Sequence, residues 1–290
     1  MIAILYSILI TSGFGVLLIF LTQLRITNIF PYFSFKNKDK FDLSKRDGYT
    51  LVTLSWLTMA IFSSLPFYFY GGPFENYIDS FFESISGLTT TGATILSSQD
   101  FSSIPRGLMF WRSFTQFIGG IGIIVFSIAI LPLMGFGGVQ LFRAEVAGPV
   151  ADKLTPRIKQ TATLLWGIYF GLIVSETIIL TIEGLSLYDA LTHSFATIAT
   201  GGFSTNPDSI FSYPSIVQYT IIFFMILAAS SFSLHFLAFR KGRFEYFKDQ
   251  EFKVYIFIIL LFLVMFFTDN YASNFLKNGT LEAGFRNSLF

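Results

Sequence analysis

The chain has 290 residues, of which 53% are hydrophobic and 13% are charged, whereas about 25% of the residues are charged in an average soluble protein. This composition places the chain among membrane proteins. It has no cysteine, which excludes a disulfide framework and thiolate metal sites, and its net charge of +1 gives no reason to expect a nucleic-acid partner.

Six apolar segments approach or reach the length of about 20 residues that a helix needs to cross a bilayer. In chain order they are residues 2–24, 50–70, 107–134, 162–182, 216–239 and 254–268. The first lacks the basic start and the small-residue cleavage site of a signal peptide, so we expect it to span the membrane. Two further apolar segments, 77–91 and 187–200, are too short to cross and are predicted to be helices that enter and leave on the same side.

The basic residues support this topology independently. Of the 19 Lys and Arg residues, six lie in 25–46, four in 143–159 and five in 240–253, whereas 71–105 and 183–214 contain none. Cytoplasmic loops of membrane proteins carry an excess of Lys and Arg. The three basic stretches are therefore predicted to be cytoplasmic, and the two stretches without basic residues to be external.

Each short apolar segment leads into a run of small polar residues and glycine. The runs are Thr-Thr-Thr-Gly-Ala-Thr at 89–94 and Ala-Thr-Gly-Gly-Phe-Ser at 199–204. Within the hydrocarbon region, non-helical backbone is tolerated only where it is buried in protein or lines water. The carbonyl groups of such loops can replace the hydration shell of a permeating cation. The two runs therefore predict an ion pore.

The two loops belong to an internal repeat. Aligning Gly92 with Gly202 also aligns Asp79 with Asp189, and we expect each aspartate to cap the N-terminus of its short helix. The same pattern begins a third time near the end of the chain, with Asn287 in the capping place.

This alignment predicts an all-α membrane protein made of repeated units, each a helix, a re-entrant pore loop and a second helix. Two repeats are complete and a third is cut short. The expected organisation is an N-terminal helix with a cytoplasmic loop at 1–47, the first repeat at 48–135, a cytoplasmic connector at 136–160, the second repeat at 161–243 and the start of the third repeat at 244–290.

An ordered set of motifs accompanies the loops. It comprises Arg-Asp-Gly-Tyr at 46–49, the stretch from Phe-Phe-Glu-Ser to Thr-Thr-Thr-Gly-Ala-Thr at 81–94, Phe-Trp-Arg-Ser-Phe-Thr-Gln-Phe-Ile-Gly-Gly-Ile-Gly at 110–122, Gln-Leu-Phe-Arg-Ala-Glu at 140–145, Lys-Leu-Thr-Pro-Arg at 153–157 and Thr-Gly-Gly-Phe-Ser-Thr at 200–205. A single Thr-Thr-Thr-Gly would be weak evidence, but the ordered set is specific. It resembles the TrkH/TrkG/KtrB family of potassium transporters, and the TrkH type in particular.

The resemblance implies four repeats around a central pore, each contributing one loop to a filter, as in a tetrameric potassium channel. Carried over residue by residue, the filter positions are Thr90, Thr91, Gly92, Thr200, Gly201 and Gly202. Their carbonyl groups would coordinate dehydrated K⁺, which is the transported ion, and no cofactor is expected. The third loop, the fourth repeat and one of the family's two N-terminal helices have no counterpart here, so we expect part of a longer transporter.

The implied function is potassium uptake by a multi-pass protein of the bacterial inner membrane, embedded in the lipid bilayer. The implied partners are a second copy of the chain and a cytoplasmic, nucleotide-binding, TrkA-like regulatory subunit. The alternatives are a carrier of another monovalent cation coupled to Na⁺ or H⁺, and a non-conducting fragment. An enzyme is disfavoured because neither His193 nor His235 has the sequence context of an intramembrane hydrolase, and no intramembrane aspartate pair is visible.

Charged residues inside membrane segments are costly and usually have partners. We expect Arg112 to pair with Glu83 in its own repeat; the alternative is that Arg112 extends to the outer headgroups. Glu176 is expected to pair or to line a cavity, with no partner identified. His193 is expected to be a hydrogen-bonded structural residue, and the glycines within 119–122 are expected to allow close helix packing.

Overall fold

A computed structural model describes residues 45–130, 154–242, 244–274 and 281–290. Within these ranges every regular element is helical, as the all-α prediction requires. The helix predicted at 2–24, most of the basic stretch at 25–46 and the motif at 140–145 lie outside the described residues.

The first repeat contains two long helices with a short helix between them. They are α1 (Lys45–Tyr70), α2 (Tyr77–Leu88) and α3 (Arg106–Ile130). The 12 residues of α2 rise only about 18 Å, too little to cross a bilayer. The Tyr70 hydroxyl, at the end of α1, donates to the Ser103 carbonyl, just before α3, over 2.9 Å. The segment between the two long helices thus starts and ends at the same place, as a re-entrant loop must.

The second repeat has the same arrangement. Its helices are α4 (Leu154–Ile182), α5 (Leu187–Ile198) and α6 (Ser215–Ala228). The Thr220 hydroxyl near the start of α6 donates to the Glu183 carboxylate after the end of α4, over 2.6 Å. The entry and exit of the second loop are therefore also adjacent.

In both repeats, one hydroxyl pair joins the first long helix to the short helix. Ser63 and Ser84 lie 2.6 Å apart between α1 and α2, and the Thr177 hydroxyl donates to Ser194 over 3.0 Å between α4 and α5. Ser84 and Ser194 also align in the sequence repeat. In each repeat the contact uses the aligned serine of the short helix, although its partners in the long helices, Ser63 and Thr177, do not align.

The N-caps of the short helices lie earlier than predicted. Asn76 caps α2 by accepting the Ile78 N–H, and Ser186 caps α5 by accepting the Asp189 N–H. The prediction that Asp79 and Asp189 are the caps is therefore wrong. Both aspartates lie in the first helical turn, where a carboxylate still interacts favourably with the helix dipole. The difference arises because each helix includes two residues before its aspartate.

The apolar segment predicted to reach spanning length at 216–239 is not one continuous helix, because the helix breaks. α6 ends at Ala228, and α7 (Phe232–Lys241) continues at an angle of 96°. The break is stabilised by side chains that bind main-chain carbonyl groups: a ring nitrogen of His235 lies 2.9 Å from the Leu227 carbonyl oxygen. Its other ring nitrogen lies 2.6 Å from the Tyr246 hydroxyl, so His235 is a structural residue.

The last described helices lie in the segment that is predicted to begin a third repeat. The short α8 (Glu245–Lys248) precedes α9 (Gln250–Asn274), which is longer than the segment predicted at 254–268, and α10 (Leu281–Leu289) follows. Asn287 lies in the last turn of α10, so the prediction that it caps this helix is wrong. α10 has a first-turn acid, Glu282, as α2 and α5 have.

Three described helices are long and apolar enough to cross a membrane, and the bent pair of α6 and α7 would make a fourth span. The three windows are Val52–Tyr70, Ala162–Ile182 and Gln250–Thr268. α3, with 25 residues, extends roughly 37 Å and is also longer than the hydrocarbon core. None of the Gln250–Thr268 window is buried inside the protein. Its mean hydropathy of 2.2 therefore calls for an apolar surrounding such as lipid.

The core of the protein surrounds the short helices. Around α5, a cluster of buried residues joins Tyr169 and Ile173 of α4 to Phe195 of α5 and Phe224 of α6. A separate cluster in the first repeat contains Phe67, Phe74, Leu96, Ile104, Leu108 and Met109. The short helices are thus wedged between the long ones, and this packing positions the loops that follow them.

Candidate functional site

Both short helices end in the same hydrogen-bonded turn. In the first repeat, the Thr90 N–H donates to the Gly87 carbonyl over 3.0 Å and the Thr91 N–H to the Ser86 carbonyl over 2.9 Å. In the second repeat, the Thr200 N–H donates to Thr197 over 2.9 Å and the Gly201 N–H to Ala196 over 2.8 Å. This pattern is the Schellman motif, which usually has glycine at the position of Thr90 and Thr200.

Threonine at that position is strained. Thr90 has φ 53° and Thr200 has φ 54°, a left-handed conformation that is a genuine outlier for a β-branched residue. Such a residue costs on the order of 1–3 kcal/mol and persists only where the surrounding structure enforces it. Because the same strain occurs at the same place in both loops, it points to a function of the loops.

The glycines two positions later have matching conformations as well. Gly92 has φ 76° and Gly202 has φ 78°, whereas Thr91 and Gly201 between them are not among the residues with positive φ. The two loops therefore share one backbone pattern, in which a left-handed threonine and a left-handed glycine flank a residue without positive φ.

The two loops approach each other at their glycines. A Cβ atom added at Gly92 would overlap the carbonyl oxygen of Gly201, whereas one added at Gly202 would meet nothing within 4 Å. The six predicted filter positions thus lie on two loops that the fold brings into contact. Thr91, Thr200 and Gly202 are exposed, which leaves main-chain and hydroxyl oxygens accessible on this side of the loops.

The side of the loops that faces the protein is buried and polar. The predicted pair of Glu83 and Arg112 is confirmed: Arg112 Nε donates to Glu83 Oε1, and the two side chains are 0% and 3% exposed. Glu83 also accepts the Thr94 hydroxyl over 2.9 Å and the Ile95 N–H over 3.1 Å. The Glu83 carboxylate therefore holds the residues that follow Gly92 in the first loop.

Two residues of α3 extend from the first repeat to the second loop. Arg112 Nη1 donates to the Ser204 carbonyl over 2.8 Å, and Gln116 Oε1 accepts the Phe203 N–H over 3.2 Å. The predicted pairing of Arg112 with Glu83 does not include this contact with the second loop, and Gln116 is not among the predicted site residues. A glutamine one turn after a buried arginine in an apolar helix was the available signal, because polar residues inside membrane segments are rare.

The second repeat has no counterpart of the Glu83–Arg112 pair among the described residues. His193 aligns with Glu83, and one of its ring nitrogens lies 3.2 Å from the Tyr213 hydroxyl. Tyr213 also accepts a hydrogen bond from the Asn206 amide over 2.7 Å. The expectation that His193 is a hydrogen-bonded structural residue is confirmed.

The glycines within 119–122 allow close packing, as expected. A Cβ atom at Gly119 would overlap the Leu88 carbonyl oxygen at the end of α2. One at Gly120 would lie 3.2 Å from the Ala199 Cα, where α5 ends. α3 thus contacts the C-terminal ends of both short helices through adjacent glycines.

Glu176 lies in α4 between two apolar clusters, with the Thr197 side chain of α5 nearby. It is fully buried, and neither carboxylate oxygen has a hydrogen-bond partner among the described residues. Ile173 and Leu180, on the same face of the helix, belong to two different buried apolar clusters. Glu176 is expected either to pair with another group or to line a cavity, and no ion pair of Glu176 is observed in the described part of the chain. An ionised carboxylate without a partner is costly in such surroundings.

The predicted external side carries acidic residues. Asp100 lies in the loop before α3 and accepts the hydroxyl and the N–H of Ser97 over 2.6 and 2.8 Å. These hydrogen bonds lower the pKa of Asp100, so its carboxylate stays charged over a wider pH range. A negative external surface attracts cations toward the loops.

Comparison with known proteins identifies relatives of this chain. The family described as "TrkH: Cation transport protein" matches residues 15–278. The Trk system potassium uptake protein TrkH of Vibrio parahaemolyticus is 45% identical over 235 residues, which cover 79% of this chain and 48% of the relative. TrkH of Escherichia coli K12 is 43% identical over 244 residues, 81% of this chain and 50% of the relative. This chain therefore spans about half the length of the curated relatives it matches.

The fold has a counterpart among solved structures. The crystal structure of the potassium transporter TrkH from Vibrio parahaemolyticus superposes with a TM-score of 0.74 at 35% identity, covering 87% of this chain and 51% of that one. The expected family resemblance and the expected all-α membrane fold are confirmed. By sequence and by fold, the chain belongs to the TrkH family of cation transport proteins.

Proposed function

We propose that this protein takes up potassium through a membrane pore whose filter includes the main-chain carbonyl groups of loops 89–94 and 199–204. The observation that carries the proposal is the matched backbone of the two loops. A strained left-handed threonine is followed two residues later by a left-handed glycine in both of them. Such strain persists only where the surrounding structure enforces it, and here it recurs at the same position of both loops.

The chemistry of the loops suits a monovalent cation. Each short helix ends at its loop, and the C-terminal end of a helix carries a partial negative charge. Carbonyl and hydroxyl oxygens are neutral ligands, which stabilise a dehydrated cation without holding it so tightly that it cannot leave. In this proposal the ligands come from Thr90, Thr91, Gly92, Thr200, Gly201 and Gly202.

Potassium is the proposed ion because the relatives that match this chain are named potassium uptake proteins. The process is transport, with no chemical reaction on the ion and therefore no enzymatic role. We also propose that the protein pairs with a second copy and with a cytoplasmic, nucleotide-binding, TrkA-like subunit. The support for the subunit is that the relatives are named as parts of a Trk system; the second copy is proposed from the family resemblance alone. Light scattering of the purified protein with and without a candidate subunit tests both partners.

The test of function is complementation. The natural gene is expressed in a bacterial strain that lacks its own potassium uptake systems, and growth is followed at limiting potassium together with rubidium uptake. We expect growth and uptake to be restored, and sodium to compete poorly. Uptake no greater than with an empty vector, with the protein present in the membrane, would refute the proposal. Equal competition by sodium would refute the potassium-selective filter.

A further inference from the structure

One helix of the first repeat supports the second loop from its buried side. Gln116 of α3 is 0% exposed, and its Oε1 accepts the Phe203 N–H over 3.2 Å. Arg112, one turn earlier, donates to the Ser204 carbonyl over 2.8 Å, and its Cζ lies 3.7 Å from the centroid of the Phe203 ring. All these contacts reach the two residues that follow Gly202.

The same helix is connected to the first loop. Arg112 pairs with Glu83, which holds the Thr94 hydroxyl and the Ile95 N–H. Thr94 occupies the same place after Gly92 that Ser204 occupies after Gly202. Arg112 therefore lies between the residues that follow Gly92 and those that follow Gly202. It is linked to the first loop through Glu83 and hydrogen-bonds to the second loop directly.

Gln116 also explains a difference between the loops. The first loop has Thr91 where the second has Gly201. A Cβ atom at Gly201 would overlap the Gln116 side chain, with its Oε1 at 2.8 Å. The Gln116 amide occupies the space that a side chain at 201 would need, so the amide would have to move to admit one. The Gln116 Nε2 is also 3.8 Å from the position of a Cβ atom at Gly92.

We propose that Arg112 and Gln116 are positioning residues through which the first repeat sets the geometry of the second repeat's filter loop. The inference rests on the proposed function for its meaning in transport, but its structural content is independent of it. Gln116 lies behind the point where Gly92 and Gly201 meet. The Phe203 N–H and the Gly202 carbonyl belong to the same peptide group. Loss of the Gln116 hydrogen bond therefore changes the orientation of the Gly202 carbonyl, although Gln116 does not contact the ion.

The chain provides a matched control. Gln218 of α6 is also a buried glutamine, 2% exposed. Its Nε2 donates to the Tyr213 carbonyl over 2.8 Å, in the external segment beyond the second loop. Gln218→Leu thus removes a buried amide from the second repeat without removing a hydrogen bond from residues 199–204.

The experiment compares Gln116→Leu with Gln218→Leu in the protein expressed from its natural gene. The first measurement is hydrogen exchange by mass spectrometry of peptides covering 199–205. We expect the Phe203 N–H to exchange at least about fivefold faster in Gln116→Leu, corresponding to about 1 kcal/mol for a lost hydrogen bond, and to be unchanged in Gln218→Leu. The second measurement is the K⁺/Na⁺ uptake ratio, which we expect to fall about fivefold or more in Gln116→Leu alone.

Equal exchange at 199–205 in the two variants would overturn the proposal, whatever the transport result. If the unsubstituted protein takes up no potassium, the proposed function fails while exchange still decides the positioning role. If exchange rises but the uptake ratio is unchanged, the role in selectivity is refuted. Gln116→Asn, which keeps the amide but shortens its reach by one methylene, provides the same comparison if Gln116→Leu does not fold.

Discussion

Replacing single glycines with alanine distinguishes the effects of substitutions in loops 89–94 and 199–204 from each other and from the effect of a substitution elsewhere in the membrane domain. In Gly92→Ala the new methyl group would meet two obstacles, a φ of 76° and the carbonyl oxygen of Gly201. In Gly202→Ala it would meet only the first, a φ of 78°, because nothing lies within 4 Å. Gly171 in α4 has neither obstacle and is the matched control.

The expected costs follow from these geometries. A left-handed alanine costs roughly 1–2 kcal/mol, which is the whole effect in Gly202→Ala. Gly92→Ala adds roughly 1–3 kcal/mol of overpacking, because a backbone oxygen must move. Gly171→Ala gains up to about 1 kcal/mol, because alanine is the better helix former. Thermal unfolding of the purified variants should therefore give the highest midpoint for Gly171→Ala and the lowest for Gly92→Ala.

The K⁺/Na⁺ uptake ratio tests whether the same positions act as a filter. We expect it to fall in Gly92→Ala and Gly202→Ala and to stay unchanged in Gly171→Ala. An unfolding midpoint for Gly92→Ala equal to that of Gly202→Ala would contradict the contact between the loops. An unchanged ratio in both loop variants would refute the assignment of these glycines to the filter.

Two further predictions use charge and topology. Glu83→Gln leaves Arg112 buried without its charged partner and should destabilise the protein by about 3–5 kcal/mol. Glu176→Gln removes a carboxylate that has no hydrogen-bond partner among the described residues, and this variant should be as stable as the unsubstituted protein or more stable. Similar losses of thermal stability in the two variants would contradict this expectation. A cysteine placed at Ser98 should react with an impermeant thiol reagent applied outside intact cells, whereas a cysteine placed at Lys248 should not. The chain has no cysteine of its own, so any labelling reports the introduced residue. Labelling at Lys248 would show that the predicted orientation in the membrane is reversed.

Several features of the site could be predicted from sequence because they have local causes. The lengths of the apolar segments limit which helices can cross, and both short helices occur where expected. Glycine at 92 and 202 suits the left-handed backbone at these positions, because glycine adopts it without steric cost. Glu83 and Arg112 could be paired in advance because two opposite charges in adjacent apolar helices have few other ways to be neutralised. The division of the chain at 48, 136, 161 and 244 stays a prediction.

Helix starts and breaks were harder to predict, because they depend on competing local partners. Both asparagine and aspartate can cap a helix, and in the structure Asn76 accepts the Ile78 N–H and is the cap. The break after Ala228 occurs in a segment that is apolar enough to continue as a helix, and there the ring of His235 contacts the Leu227 carbonyl group. Neither outcome follows from hydrophobic pattern or propensity alone.

The sequence by itself determined the class of the protein, its repeats and its two Thr/Gly loops, because hydrophobic length, glycine and small polar residues act over a few neighbouring positions. Only the tertiary structure decided which helix supports which loop. Gln116 is 87 residues from Phe203, and Arg112 is 92 residues from Ser204. No local pattern encodes a contact over that separation. It exists because packing of α3 against the ends of both short helices brings the repeats together.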